Sequence, residues 1–395
     1  MIDILANVNK QECSACGACI NACPIDAITL VRDEYGFEYP HINESICVSC
    51  GKCASVCKKF QSSELTLPIK CFAGSNKDKQ ILKKSASGGA FSALAEYVLS
   101  KSGAVCGCVY DKNLIPIHIC SENEEDVVCM RKSKYVQSNV GYVYRDILSR
   151  LKKGQMVLFT GTPCQVAGLY SVVGKGFDNL ITIDLICHGV PSSYLFKKFI
   201  EYLEGKYKTK IISFDFRSKR YGWARFTAEF MDSTGKTKNI GKFNEFYSGA
   251  FTAGNIFRPN CYNCRFACEK RVGDITIGDF WGHEAVDLKC DKKNGISVLT
   301  INNLNKLDLQ NVLSEKLTME EVDYAIAVKG NTCLRNPTKK GRLWEKYMQA
   351  IKDDDIPSLA KRYRKNNKKR IIRGYIKLKM PYFVIDYLNR RKAKK

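Results

Sequence analysis

Eight cysteines in two matching runs carry the most explicit chemistry in the chain. Cys13, Cys16, Cys19 and Cys23 form one run, and Cys47, Cys50, Cys53 and Cys57 form the other. Both read C-x2-C-x2-C-x3-C, a spacing that holds two [4Fe–4S] cubes, with the fourth cysteine of each run ligating the other cube. That rule assigns Cys13, Cys16, Cys19 and Cys57 to one cube and Cys47, Cys50, Cys53 and Cys23 to the second. Three thiolates two residues apart wrap a loop around one face of a cube, and Gly17 and Gly51 stand where a side chain would crowd it. Paired zinc sites are the competing reading, but these favour C-x2-C knuckles or Cys/His sets, and no histidine lies within either run. Pro24 follows the first run, whereas Lys58 replaces the expected proline after the second.

Further along, Cys261, Cys264 and Cys268 form a C-x2-C-x3-C run. Three thiolates need a fourth ligand. Cys164, in the turn Thr162-Pro-Cys-Gln165, is the first candidate and Cys187 the second. Both stand where a strand hands over to a helix, whose N-terminal N–H groups favour a thiolate. A third [4Fe–4S] cube is the preferred reading, with structural zinc as its competitor. Ser85, Ser87, Gly88 and Gly89 precede a helix and suit a phosphate cradle, although serine at such a place is also an ordinary cap. The polar stretch Lys134, Tyr135, Gln137 and Ser138 could line the same ligand. Arg217, Lys219, Arg220, Trp223 and Arg258 gather basic and aromatic groups suited to a flat anionic cofactor, the alternative being a solvated loop. His188, Asp279, Trp281 and His283 are candidate proton carriers, and His188 and Asp279 are the catalytic candidates among them.

The elements that must position these residues are legible in outline. Ala27–Val31 and the Tyr35-Gly36-Phe37 turn read as a hairpin, and residues 61–68 as a polar link. Phe91, Leu94, Ala95 and Val98 keep a helical period. Ala104–Tyr110, Gln155–Thr160, Leu180–Ile186, Ile211–Phe216, Arg225–Met231 and Asp274–Ile277 read as strands. The second half of Val136–Arg150 reads as a helix, as does the segment bearing Phe196, Phe199, Ile200 and Leu203. The division that follows is 1–60 for the cluster unit, 61–68 for the link, 69–175 and 176–335 for two parts of a larger domain, and 336–395 for a basic helical tail.

Length and composition set bounds on function. The 395 residues suggest two to three domains, and 45% hydrophobic content supplies a core. Twenty cysteines without a signal peptide or an apolar spanning segment argue for a reducing cytoplasm rather than a disulfide scaffold. From Lys361 onward fifteen Lys/Arg face one acid, Asp386, so +14 of the formal +23 lies there. The mixture of apolar and basic residues over Ile371–Leu388 suits a helix lying on an anionic membrane, peripheral at its inner face, or a dock for an acidic partner. A solvated terminus is the plain alternative, and phosphate contact without sequence preference the nucleic-acid one.

Taken together, the segments resemble the coenzyme F-420 hydrogenase/dehydrogenase beta-subunit family, in its form with an N-terminal two-cluster ferredoxin domain. The matching residues are Ser87-Gly-Gly89, Lys134-Tyr-Val-Gln-Ser138, Gly161-Thr-Pro-Cys-Gln165 and Asp184-Leu-Ile-Cys-His-Gly-Val-Pro191. Phe216-Arg217 with Gly222-Trp223, Phe257-Arg-Pro259 before Cys261, and Gly278-Asp-Phe-Trp-Gly282 complete the set. The resemblance implies an α+β protein: a two-cluster ferredoxin fold, a mixed α/β flavin-binding region, and a basic C-terminal helical tail that matches no family motif. It implies FAD beside an iron–sulfur cluster, with Ser87–Gly89 and Lys134–Ser138 contacting flavin and Cys164, Cys261, Cys264 and Cys268 holding the cluster. The expected activity is an electron relay from a ferredoxin or a redox partner subunit, through the cubes and FAD, to coenzyme F-420 or another hydride acceptor. Flow in either direction fits. The alternative is a non-catalytic electron-transfer subunit associated with polysaccharide biosynthesis. A zinc-stabilised nucleic-acid binder is a third, lesser reading, and no specific nucleic acid is expected.

Overall fold

The computed structural model describes residues 9–58, 63–241, 245–381 and 384. Its N-terminal part holds the short helices Ala18–Ala22 and Lys52–Ser55 and the antiparallel hairpin β1 (Ile28–Arg32) and β2 (Glu38–Ile42), with Ile28 opposite Ile42. Each short helix starts from a left-handed glycine, Gly17 at φ 81° and Gly51 at φ 73°. A Cβ at Gly17 would lie 2.1 Å from Val140 Cγ2, whereas at Gly51 it would meet nothing within 4 Å. Backbone conformation therefore requires glycine at 51, and docking onto the rest of the chain adds a second requirement at 17.

The larger part is built on β3 (Lys70–Asn76), β4 (Ala104–Tyr110), β5 (Pro116–Ser121), β6 (Val157–Gly161) and β7 (Leu180–Leu185). β8 (Ile211–Ser218), β9 (Thr227–Asp232) and β10 (Thr237–Gly241) then form an antiparallel sheet of their own, before β11 (Ile275–Asp279), β12 (Ser297–Ile301) and β13 (Leu317–Glu321) rejoin the first sheet. The eight-stranded order is β13-β3-β12-β11-β7-β6-β4-β5. Its centre, β11-β7-β6-β4, is parallel, and both flanks are antiparallel. Helices Ala90–Ser100, Val143–Lys152 and Pro163–Val173 pack on this sheet. The parallel strands β4, β6, β7 and β11 all end toward one edge, where an open α/β sheet ordinarily receives its ligand.

The cluster unit is not a separate bead. Phe37, in the β1–β2 turn, is 1% exposed and enters a core made with Phe196, Phe199, Phe214 and Phe216. Burial of a ring of this size contributes about 1.5–3 kcal/mol, so the turn ties the N-terminal unit to the body. Of the expected link, residues 61 and 62 lie outside the described residues; Thr66 pairs with Arg271 as an antiparallel bridge.

Residues expected as a basic tail divide in two. Trp344, Tyr347, Met348 and Ile351 on helix Trp344–Lys352, and Leu359 and Tyr363 on helix Ile356–Asn366, join the same core as Phe37. Their i, i+3, i+4 spacing is helical, but the surrounding charge hides it in the composition. Helix Lys368–Lys379 buries no residue, exposes Ile372, Tyr375 and Ile376 by about half, and is held where Arg225 donates to the carbonyls of Leu378 and Met380. The rest of the expected interfacial stretch beyond residue 381, apart from 384, lies outside the described residues. No described helix is long and apolar enough to cross a membrane. One cysteine pair departs from the expectation of free thiols: Cys106 and Cys120, directly opposed across β4 and β5, form a disulfide, and the other eighteen cysteines are free.

Candidate electron-transfer site

Three sets of thiols follow one another through the molecule. In the outermost, Cys23 packs in one small core with Cys47 and Cys53, and the Cys53 thiol feels the charges of Cys47 and Cys50; Cys50 is exposed to solvent. In the next, the Cys19 thiol is pushed well up, first by burial and then by Cys16, Cys13 and Cys57. Cys19 also packs in the small core with Cys23, Cys47 and Cys53, so the two expected sets adjoin one another.

The third set gathers residues from three separate segments. Burial pushes the Cys187 thiol well up, followed by the charges of Cys261, Cys164 and Cys264; Cys261 is pushed to about 12 and Cys264 to about 11, again by burial first. Cys164 opens helix Pro163–Val173 behind a Thr162/Gln165 capping box, Cys187 follows the end of β7, and Cys261 and Cys264 lie on and just after the turn Pro259–Asn263. Cys268 stands apart, its Sγ directed at the carbonyls of Arg265 and Lys270. Cys187, the second choice from sequence, stands with Cys164, Cys261 and Cys264 in one group of buried thiols. Among the described residues no three His, Cys, Asp or Glu side chains close on a point that would hold a single metal ion.

The second and third sets are neighbours. The Tyr144 hydroxyl lies 2.7 Å from Cys16 O and 2.9 Å from Gln165 O. Gln137 Nε2 donates to Ser14 O at 3.0 Å, and Gln137 Oε1 accepts from Arg258 Nε at 2.7 Å. Gln137, grouped by sequence with a ligand wall, thus joins the cluster unit to the body.

Cys164 and Cys187 also line a cavity of about 550 Å3 at the ends of the parallel strands, a volume within the range of small-molecule sites. Its phosphate-like corner is built differently from the expected cradle. Ser85 Oγ donates to Ile81 O and Ser87 Oγ to Ile296 O, so both hydroxyl protons are spent inside the protein. A Cβ at Gly88 would sit 2.0 Å from Gly74 O, which explains the small residue there. The free donors are instead the first N–H groups of helix Ala90–Ser100, which starts at Gly89 with no side-chain cap and opens into the cavity.

Around the remaining wall, Arg217 is 2% exposed and donates to Asp279 Oδ1 at 2.7 Å and Ala86 O at 3.2 Å. Trp223 Nε1 donates to the same carboxylate oxygen at 2.8 Å, and its indole stacks on Trp281 at 4.9 Å with 3° between the planes. Lys219 Nζ donates to Leu82 O and Ser87 O, and burial lowers its pKa to about 7. Arg220 instead pairs with Glu229 at half exposure, away from this group. Lys134 Nζ caps the Cys129 and Arg131 carbonyls, Tyr135 stacks on Phe251 at 4.5 Å, and Ser138 Oγ accepts from Gln165 Nε2. His188 Nδ1 lies 3.2 Å from Cys333 Sγ and 3.3 Å from Thr338 Oγ1 on the cavity wall. His283 is buried with Nδ1 3.2 Å from Phe280 O, behind Trp223.

Several cavity residues escaped the sequence reading. His118 Nε2 lies 3.1 Å from Thr160 O, and burial lowers its pKa to about 4, so the ring is neutral. Its Nδ1, with Ser92 Oγ, Thr160 Oγ1, Arg131 Nε and Arg217 Nε, is buried without a protein partner, and all five residues line the cavity. Unsatisfied buried polar groups cost about 1–3 kcal/mol each, so this wall fits a polar ligand with several acceptors and donors, as a flavin dinucleotide is. Only the burial pattern of β5, a strand missed in sequence, could have disclosed His118.

Comparison with known proteins agrees with this reading at the level of family. A 4Fe-4S dicluster domain profile matches residues 12–60. The profiles of the coenzyme F420 hydrogenase/dehydrogenase beta subunit match in order, the N-terminal one over residues 71–144 and the C-terminal one over 154–325. No curated protein matches the sequence. Among solved structures, a chain of the F420-reducing [NiFe] hydrogenase complex from Methanosarcina barkeri is 18% identical with a TM-score of 0.44, the match covering 73% of this chain and 90% of that one. The chain belongs to the coenzyme F420 hydrogenase/dehydrogenase beta-subunit family, an oxidoreductase family, and is an iron–sulfur redox protein with a 4Fe-4S dicluster domain at its N-terminal end.

Proposed function

We propose that this protein is a flavin-dependent oxidoreductase subunit that relays electrons between an outside donor and a two-electron acceptor of the coenzyme F420 type. The observation that carries the reading is the order of the thiols. Exposed Cys50 marks the outer set, Cys13, Cys16, Cys19 and Cys57 come next, and Cys164, Cys187, Cys261 and Cys264 end at the cavity wall. Cubes exchange single electrons and a flavin converts these to a hydride, which is the chemistry the bound groups would supply.

The chain's own residues divide the remaining work. Cys164, Cys187, Cys261 and Cys264 would hold the third cube. The N–H groups at the start of helix Ala90–Ser100 would hold phosphate, with Arg217 and Lys219 supplying positive charge behind them. Trp281, backed by Trp223, offers a flat floor for an aromatic ring. Asp279 accepts from both Arg217 and Trp223, which makes it a positioning residue rather than a proton carrier. His188, between Cys333 and Thr338, belongs to the wall. The outer set faces a ferredoxin or partner subunit, and the basic helix Lys368–Lys379 supplies a surface for an anionic partner or membrane face.

Anaerobic turnover tests the proposal. Protein loaded with iron and FAD is expected to reduce coenzyme F420, or a two-electron dye in its place, when a reduced ferredoxin is supplied. Fully loaded protein that passes electrons to neither acceptor would contradict it.

A further inference from the structure

Three arginines are almost completely buried: Arg217, Arg258 and Arg271. Two have a carboxylate, Asp279 for Arg217 at 2.7 Å and Asp184 for Arg271 at 3.2 Å. Arg258, 1% exposed, has none among the described residues. Its Nε donates to Gln137 Oε1 and its Nη2 to Glu38 O at 2.8 Å, while Nη1 has no protein partner. The guanidinium lies over the faces of Phe37 and Tyr39 at 5.2 and 4.6 Å. A guanidinium cannot shed its proton, and a buried charge without a counter-charge is strongly unfavourable.

The missing counter-charge lies on either side. Gln137 hands Arg258 to the loop of Cys13 through Ser14 O, and Cys261 N bonds Arg258 O at 2.9 Å. The loop of Cys13 and the run that opens at Cys261 belong to two different thiol sets, and Arg258 is tied by hydrogen bonds to both. We propose that Arg258 is an electrostatic bridge between the inner dicluster cube and the third cube, raising the reduction potentials of both while leaving the outer cube untouched. The inference rests on the three-cube reading of the proposed function.

The chemistry is the transfer of one electron. Cys13, Cys16, Cys19 and Cys57 would hold a cube that gives up one electron as the cube held by Cys164, Cys187, Cys261 and Cys264 would take up one, with no bond made and no proton moved. Before and after, the negative charge around Arg258 is the same. A cation shared by both partners therefore makes it easier to hold the electron in this dry region without opposing its passage. Arg258 is a positioning and tuning residue and touches no reacting substrate.

The test is an EPR-monitored redox titration of the full chain with dithionite, after iron is counted in each protein. Arg258→Gln is expected to make the two inner centres about tenfold harder to reduce, about 59 mV for one electron, with the outer centre unmoved. Arg258→Lys, which keeps the charge but loses the fork, is expected to stay within about twofold of the wild type. Unmoved inner potentials in a fully loaded Arg258→Gln protein, or an equal shift at all three centres, would overturn the proposal. Should Arg258→Gln fail to hold iron, Arg258→Lys decides: inner potentials kept within about twofold support it, and a tenfold fall overturns it. A wild type with about eight irons instead of about twelve would remove the three-cube reading itself, a result distinct from either of these.

Discussion

The outer and the innermost thiol sets serve similar chemistry but are built in opposite ways. Cys47, Cys50 and Cys53 come from one loop, and Cys50 reaches solvent. Cys164, Cys187, Cys261 and Cys264 come from the ends of two sheet strands and a distant turn, and burial raises every one of their thiols. A local loop makes a contact for a partner and can be read as a motif. A buried set assembled by the fold needs neighbouring supports, such as Arg258 and the capping box before Cys164. In the proposed relay, the contrast would separate the contact with a redox partner from the contact with the two-electron acceptor.

Substituting the two candidates for the fourth ligand should break this contrast most severely. Cys187→Ser should remove about four of about twelve irons and abolish acceptor reduction, whereas Cys268→Ser should leave both unchanged; iron analysis and turnover distinguish them. Equal loss from both variants would restore Cys268 to the set. Next in size is Asp279→Ala. It strands buried Arg217 and releases Trp223, and loss of one partner of a buried pair costs about 3–5 kcal/mol. The denaturation midpoint of the iron-loaded protein should fall accordingly, and flavin retention with it, while the iron of the outer sets stays.

Lys219 sharpens the comparison through pH. Its folded pKa, lowered to about 7 by burial, lies below the ordinary lysine value of 10.5. Between pH 7 and 10.5 the unfolded chain binds the extra proton, so this group makes stability rise with pH over that window, by on the order of 1–4 kcal/mol. Lys219→Met should flatten the rise in a urea series, and an unchanged slope would contradict the assignment. At the exposed helix the effect falls outside the redox core altogether. Replacing Lys368, Lys369, Arg370 and Arg373 with glutamine should weaken binding to vesicles with anionic lipid by about 1 kcal/mol per residue, with iron and flavin content unaltered, as sedimentation would show.

How much was legible in the sequence follows the same division. The dicluster spacing is local, and the domain it signals emerges as expected, as do the parallel strands β4, β6, β7 and β11, whose apolar runs end at the site. From sequence, Cys164 is the first and Cys187 the second candidate to join the run of Cys261, Cys264 and Cys268; spacing sees the run, but only the fold brings both strand ends to it. The serines of Ser85–Gly89 looked like phosphate donors, but their protons bond backbone carbonyls made available by β12 and the preceding helix. Helices Trp344–Lys352 and Ile356–Asn366 carry core residues under a basic exterior, so charge alone placed them in a tail. His118 and Arg258 acquire meaning only from burial, which single residues in a sequence do not advertise.

The most direct test of the account is the iron and flavin content of strictly anaerobically purified protein, with the visible spectrum alongside. The relay predicts about twelve irons, four for each of three cubes, and about one flavin per chain. About eight irons and no flavin, reproduced after reconstitution with both, would contradict it and leave a two-cluster electron carrier.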